Sequence, residues 1–288
     1  MSMTKRMTIL LSLVMIPALV VLFTVGRGQE GQISSESIAK SISQFNDSNP
    51  DNRMQAFEAL IQRGSGSILN GDVNQISSAL AKIFKALPDS SDELKIGLIT
   101  LLKTENLYMQ QHAESFKVTG QTLSEDYVNY HGNLIFAVSS LRDSRAVDSL
   151  VGCIESGEMA TSGLAQLGVV AMDPVINLLN NKNESVRLSA TIVLVGMLDQ
   201  NEILQEANPV SRDKIKNAII RSAKDNNHYT RISAINGLEK LSLHGDGDAV
   251  KLLEQLAQND PFESVQQGGK SNEYPVRDAA NKALRKKN

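Results

Sequence analysis

The sequence predicts an all-α chain, an α-solenoid of about seven stacked helical pairs behind an N-terminal apolar segment. Three observations predict it. One residue spacing recurs along the chain, short polar turns separate the helices that carry it, and the composition suits helices packed through small aliphatic side chains. Of 288 residues none is Trp and 4% are aromatic, whereas a β-sandwich usually carries more Tyr, Phe and Trp. With 41% hydrophobic and 21% charged residues the bulk is globular rather than disordered.

The N-terminus reads differently from the rest. Lys5 and Arg6 precede the apolar run "TILLSLVMIPALVVLFTV" at residues 8–25. A short basic region followed by an apolar segment predicts an export signal over 1–26, with small residues Thr24 and Gly26 before the cleavage point. The run also has the length of a membrane-spanning anchor, so it offers a membrane tether through residues 8–25. Either reading places the protein outside the cytoplasm, periplasmic or extracellular, or anchored to the membrane. No Cys follows the run, so a lipid-anchored lipoprotein is not indicated. Loss of Lys5 and Arg6 leaves 27 basic against 32 acidic residues, a balance of −5. That balance argues against nucleic acid as a partner.

From residue 31 to 288 the spacing R-x-x-A-x-x-x-L appears four times: Arg53-Ala56-Leu60, Arg187-Ala190-Leu194, Arg231-Ala234-Leu238 and Arg277-Ala280-Leu284. Offsets of three and seven put the Ala and Leu on one helical face. Weaker copies fill the gap at Lys95-Leu98-Leu102, Leu134-Ala137-Leu141 and Ala160-Gly163-Leu167. Successive first positions lie 42, 39, 26, 27, 44 and 46 residues apart. Each copy is read as the second helix of a pair. "DVNQISSALAKIFKAL" and four capped segments supply first helices: Ser144 opens "SRAVDSLVGCIES", Asp173 and Pro174 open "DPVINLLNN", Ser211 opens "SRDKIKNAIIRSAKD", and Asp248 caps "DAVKLLEQLAQND". The turns "NDSNPDN", "PDSSD", "NNKNES" and "KDNNH" are rich in turn and cap residues. "SVRLSATI" at 185–192 alternates like a strand, yet Val186, Ala190, Val193 and Met197 keep helical spacing, so it is read as a helix covered on both sides. Regions 104–126 and 261–273 are read as insertions.

These residues resemble the HEAT-repeat family, including its short phycobilisome-lyase-like form in an exported bacterial type. The fullest match is Leu167-Gly168-x-x-Ala171-x-Asp173-Pro174-Val175-x-x-Leu178-Leu179 followed by Val186-Arg187-x-x-Ala190-x-x-x-Leu194. "YPVRDAANKAL" and "YTRISAINGL" match a second helix. The resemblance implies a protein or peptide partner bound on a concave face of second helices. It also implies that Arg53, Arg187, Arg231 and Arg277 pair with acidic or carbonyl groups of neighbouring turns and tie the units together. The alternative it implies is a lyase-like or chaperone-like protein acting on a protein substrate, which would need a reactive Cys or an acidic pair in a groove.

Chemical motifs are otherwise sparse. There is no H-x-x-x-H pair, G-x-S-x-G or Gly-rich phosphate loop, so neither an enzyme nor a cofactor or metal site is expected. Cys153, the sole Cys, lies in "SLVGCI" and reads as a small buried hydrophobe. His244, Asp246 and Asp248 offer too few carboxylates for a calcium loop. Glu125 and Asp126 read as first-turn residues favoured by the helix dipole. His112 carries no motif. Tyr130, Tyr229 and Tyr274, with His131 and His228, form the candidate interaction surface, because tyrosines near turns serve as binding anchors.

Overall fold

The computed structural model describes residues 35–65, 90–119, 123–199, 209–265 and 272–287. The chain divides into Met1–Gly31 and a helical body, Gln32–Asn288. The apolar run 8–25 and the segment 72–87 read as a first helix lie outside the described residues. No helix among the described residues is long and apolar enough to cross a membrane.

The body is an all-α solenoid. Its helices are α1 (Ser35–Gln44), α2 (Pro50–Ser65), α3 (Asp92–Thr119), α4 (Glu125–Ser140), α5 (Val147–Gly152), α6 (Glu158–Leu167), α7 (Val169–Leu178), α8 (Glu184–Met197), α9 (Pro209–Ser222), α10 (His228–Leu243), α11 (Gly247–Asn259) and α12 (Pro275–Lys287). They form six pairs among the described residues, each odd-numbered helix packing on the next even-numbered one. The second helices α2, α4, α6, α8, α10 and α12 lie side by side in one layer; first helices α1 to α9 line the other. Every helix from α3 to α12 sends at least one fully buried apolar side chain between the layers: Leu102, Leu134, Leu150, Leu164, Val175, Leu194, Ile215, Leu238, Leu253 and Val276. Each is worth about 1.5–3 kcal/mol of transfer free energy. Between α11 and α12 two short strands, β1 (Ser264–Val265) and β2 (Asn272–Glu273), pair antiparallel at the ends of the region read as an insertion.

Glycines set the spacing of the second-helix layer. A Cβ on Gly163 would stand 2.4 Å from Ser139 Oγ on α4, one on Gly196 3.0 Å from Ala165 Cβ on α6, and one on Gly237 3.0 Å from Val195 Cγ2 on α8. Three successive interfaces thus close on a glycine, which lets backbones approach where a larger residue would hold them apart.

Several local readings are corrected. "DPVINLLNN" does not begin at Asp173: α7 starts at Val169, and Pro174 lies inside it. Gly168, at φ 60°, turns the chain in one residue, and Ala171, Met172 and Val175 give the early start a buried stripe. Asp143, not Ser144, caps the 3-10 turn Ser144–Ala146 that leads into α5, accepting the Arg145 amide, and α5 itself has no side-chain cap. The cap of α11 is Asp246, which accepts the amides of Asp248 and Ala249; Asp248 falls in the first turn. Helix α9 opens at Pro209, two residues before Ser211, as suits a residue that needs no amide partner at a helix start. Lys95-Leu98-Leu102 lies on α3, which packs beside α1 and α5 and is therefore a first helix. Residues 104–119 continue α3 without a break. The strand-like "SVRLSATI" lies in α8, capped by Asn183, with Val186, Ala190, Val193 and Met197 all buried.

Candidate interaction surface

The turn preceding α2, α8 and α10 is built the same way each time. An Asx side chain accepts the amide two residues on, and that second residue is an Asn capping the helix. The sets are Asp47 with Asn49, Asn181 with Asn183, and Asp225 with Asn227. Four residues after the cap comes the arginine, whose guanidinium folds back onto the turn. Nη1 donates to Asp47 O and Ser48 O from Arg53, to Asn181 O and Lys182 O from Arg187, and to Asp225 O and Asn226 O from Arg231. Orphan carbonyls are thereby satisfied.

The other edge of each guanidinium grips a carboxylate with Nε and Nη2. Arg187 takes Asp225 at 2.7 and 2.9 Å, and Arg231 takes Asp260 at 2.7 and 2.9 Å. Arg277 donates Nε to the Asp260 carbonyl at 2.7 Å and lies 4.4 Å over the Tyr274 ring. The column Arg187–Asp225–Arg231–Asp260–Arg277 thus crosses three pairs through alternating bonds. Burial pushes the Asp225 and Asp260 carboxyls up, but the arginines and turn amides more than reverse this, holding both below the usual carboxylate range.

Arg53 has a different partner, one that sequence reasoning missed. Glu105 of α3 is fully buried and accepts Arg53 Nε at 2.6 Å and Nη2 at 3.1 Å. The hydroxyls of Tyr127 and Tyr130 donate to the same carboxylate. Burial, aided by that negative charge, pushes both phenols far above their ordinary pKa.

Of the candidate surface residues, two are corrected. Tyr130 is 2% exposed and His131 4%, because both lie on the face of α4 turned to α3. His131 Nε2 lies 3.0 Å from Asn106 Oδ1, and burial lowers its pKa although Glu105 pulls the other way. Tyr229 is 59% exposed. His228 stacks on Phe262, ring centroids 3.6 Å apart and planes 6° apart. Tyr274 is half-buried against Arg277.

The remaining chemistry-bearing residues are structural in their contacts. Cys153 is buried and its thiol pushed up to about 12, so it holds no thiolate at neutral pH. Asp246 and Asp248 both bind Lys216, and no cluster able to hold a metal occurs among the described residues. Glu125 and Asp126 are exposed in the first turn of α4. His112 lies 6.3 Å from the Tyr108 ring, and His244 Nδ1 lies 2.9 Å from Lys240 O.

The two helix layers expose different chemistry. The first-helix layer is charged: α9 alone carries Arg212, Asp213, Lys214, Lys216 and Arg221. On the second-helix layer from α4 to α10, the exposed and half-exposed positions in the middle of the helices include Asn129, Asn133 and Phe136; Ser162 and Gln166; Leu188, Ser189 and Ile192; Ile232, Ser233 and Asn236. Charge on this layer gathers toward the helix ends, where Arg187, Glu239 and Lys240 are half-exposed, and Phe136 and Ile192 are 38% and 45% exposed.

No protein-family model matches the sequence, and no curated protein matches it. Similar solved structures include a designed armadillo repeat protein (16% identity, 87% of this chain and 100% of that one, TM-score 0.46). Another is described as computationally designed armadillo repeat proteins for modular peptide recognition (15% identity, 86% and 98% covered, TM-score 0.44). A third is an engineered protein (12% identity, 87% and 96% covered, TM-score 0.38). The fold itself rests on the helix packing of this chain.

Proposed function

We propose that the chain is a non-enzymatic scaffold of HEAT-like repeats that binds a protein or peptide partner on the outer face of its second-helix layer. One observation carries this reading: the middle of that face is uncharged, with charge gathered toward the helix ends, while α9 of the opposite layer carries five charged residues along its length. Solvated faces ordinarily carry charge, whereas the centres of protein interfaces are depleted of it and enriched in aromatic groups. Amide and hydroxyl side chains there can meet backbone groups of a partner, and Phe136 and Ile192 supply apolar anchors. The basic residues Lys5 and Arg6 before the apolar run 8–25 support an export signal or anchor over 1–26 and hence an activity outside the cytoplasm.

A photo-crosslinking residue at Ile192 or Asn236, in the protein produced in its own host, tests the reading. One discrete adduct is expected from both positions and none from the exposed Lys103 on α3 of the opposite layer. Adducts from Lys103 alone would overturn it. N-terminal sequencing of the purified protein tests the leader: cleavage after Gly26 marks a signal, and an intact N-terminus in the membrane fraction marks an anchor.

A further inference from the structure

Close packing of first helices runs from α1 to α9 and stops there; α11 packs on α10 and α12 instead. A groove opens between the end of α9 and the end of α11, lined by Lys224, Asn226, Leu252, Leu256, Asn259 and Phe262. Its floor is apolar, with Leu256 buried and Leu252 half-buried. Its rim carries the amides Asn226 and Asn259 and the aromatic pair Phe262 and His228, flanked by exposed Tyr229. Both acids in the lining are already taken, Asp225 by Arg187 and Asp260 by Arg231. The exposed Lys224 ammonium is the lining charge without an ion partner among the described residues.

We propose that this groove is a second docking site, distinct from the second-helix face, for an extended peptide segment of a partner protein that carries an aliphatic side chain next to a carboxylate. The aliphatic side chain covers Leu252 and Leu256, where apolar surface is left by the missing helix contact. The carboxylate sits at Lys224, supplying the charge that the groove lacks. The Asn226 and Asn259 amides bond the backbone between them. Charge complementarity decides the sign of the occupant: a basic segment would meet Lys224 with no free carboxylate to receive it.

The test uses the full chain labelled at leucine methyls, titrated with a nine-residue Gly/Ser peptide containing a central Leu-Glu pair. A Leu-Lys version and the Lys224→Glu variant complete a charge swap. The Leu-Glu peptide is expected to shift the Leu252 and Leu256 methyls and to bind at least tenfold tighter than Leu-Lys. In Lys224→Glu that order is expected to reverse, without loss of folding, because the side chain is exposed. No shift at either leucine, or an order that the swap leaves unchanged, overturns the proposal. Neither outcome bears on the second-helix face, which the crosslinks at Ile192 and Asn236 report.

Discussion

Arg53 and Arg231 hold the same place in their turns and reach different kinds of carboxylate. Around Arg53 the ion pair is dry: its side chain is 4% exposed and that of Glu105 0%. Two tyrosine hydroxyls complete the carboxylate's shell. Around Arg231 the pair is one link of a column along the turn edge, which grows wetter toward Arg187, whose side chain is 16% exposed against 13% for Asp225. The difference teaches what the repeat arginine is for. Its bond to the turn carbonyls is constant, and only the carboxylate changes, from a core-facing Glu on the next first helix to an Asp in the next turn. The arginine is a turn-builder first and a link between units second.

Removing charge from the N-terminal pair is the largest expected break. Glu105→Gln leaves the Arg53 guanidinium buried and uncompensated, and should cost about 3–5 kcal/mol in urea unfolding. Adding Arg53→Met should recover much of that loss, since Gln still accepts from Tyr127 and Tyr130 while no charge remains buried. A double variant as unstable as the single one would show that packing, not charge, is at stake.

How much of this was legible in the sequence follows the same division. The helical body, its paired repeats and the four arginines were legible, because offsets of three and seven and the polar turns are local patterns. The turn motif is legible too, as Asx-x-Asn-x-x-x-Arg at Asp47, Asn181 and Asp225. Glu105 also left a signal: it interrupts the apolar stripe of Leu98, Leu101, Leu102 and Met109, and a carboxylate on a buried face demands a cation. Neither Tyr130 nor His131 could be placed, because which face of α4 meets α3 depends on contacts 22 to 25 residues apart. The charge asymmetry of the layers was hidden for the same reason, since it appears only once helices are assigned to layers.

In the column the cost should grade with exposure. Arg231→Met should lose about 2–3 kcal/mol, because Asp260 is left unpaired in a site almost as dry as that of Glu105. Arg187→Met should lose about 1 kcal/mol, since water reaches Asp225. Equal losses would mean that the column acts as one unit, which a double-mutant cycle between the two would register as coupling.

Acid should separate the regions further. The folded state holds His131 neutral with a pKa below its usual 6.5. The unfolded chain therefore binds the proton more readily, and stability present above pH 6.5 falls as pH drops below it. Asp225 and Asp260, also depressed, lose their contribution only lower, as pH falls from the ordinary carboxylate range through their folded values. Urea midpoints between pH 7.5 and 5.5 should fall, and His131→Gln should flatten that slope more than His228→Gln, whose ring is only partly covered.

The smallest effect belongs to Arg277, and it tests the claim about turn-building most directly. Arg277 has no Asx-Asn turn before it and, among the described residues, no ion-paired carboxylate; it holds one carbonyl and a tyrosine face. If the constant function of the arginine is to satisfy turn carbonyls, Arg277→Lys should cost under about 1 kcal/mol, because an ammonium still reaches Asp260 O and the Tyr274 ring. The same Arg→Lys change at Arg231 should cost more, since Lys cannot bond two carbonyls and a carboxylate with a planar fork. Equal costs at the two positions, measured by urea unfolding at neutral pH, would place the value of the arginine in its charge alone.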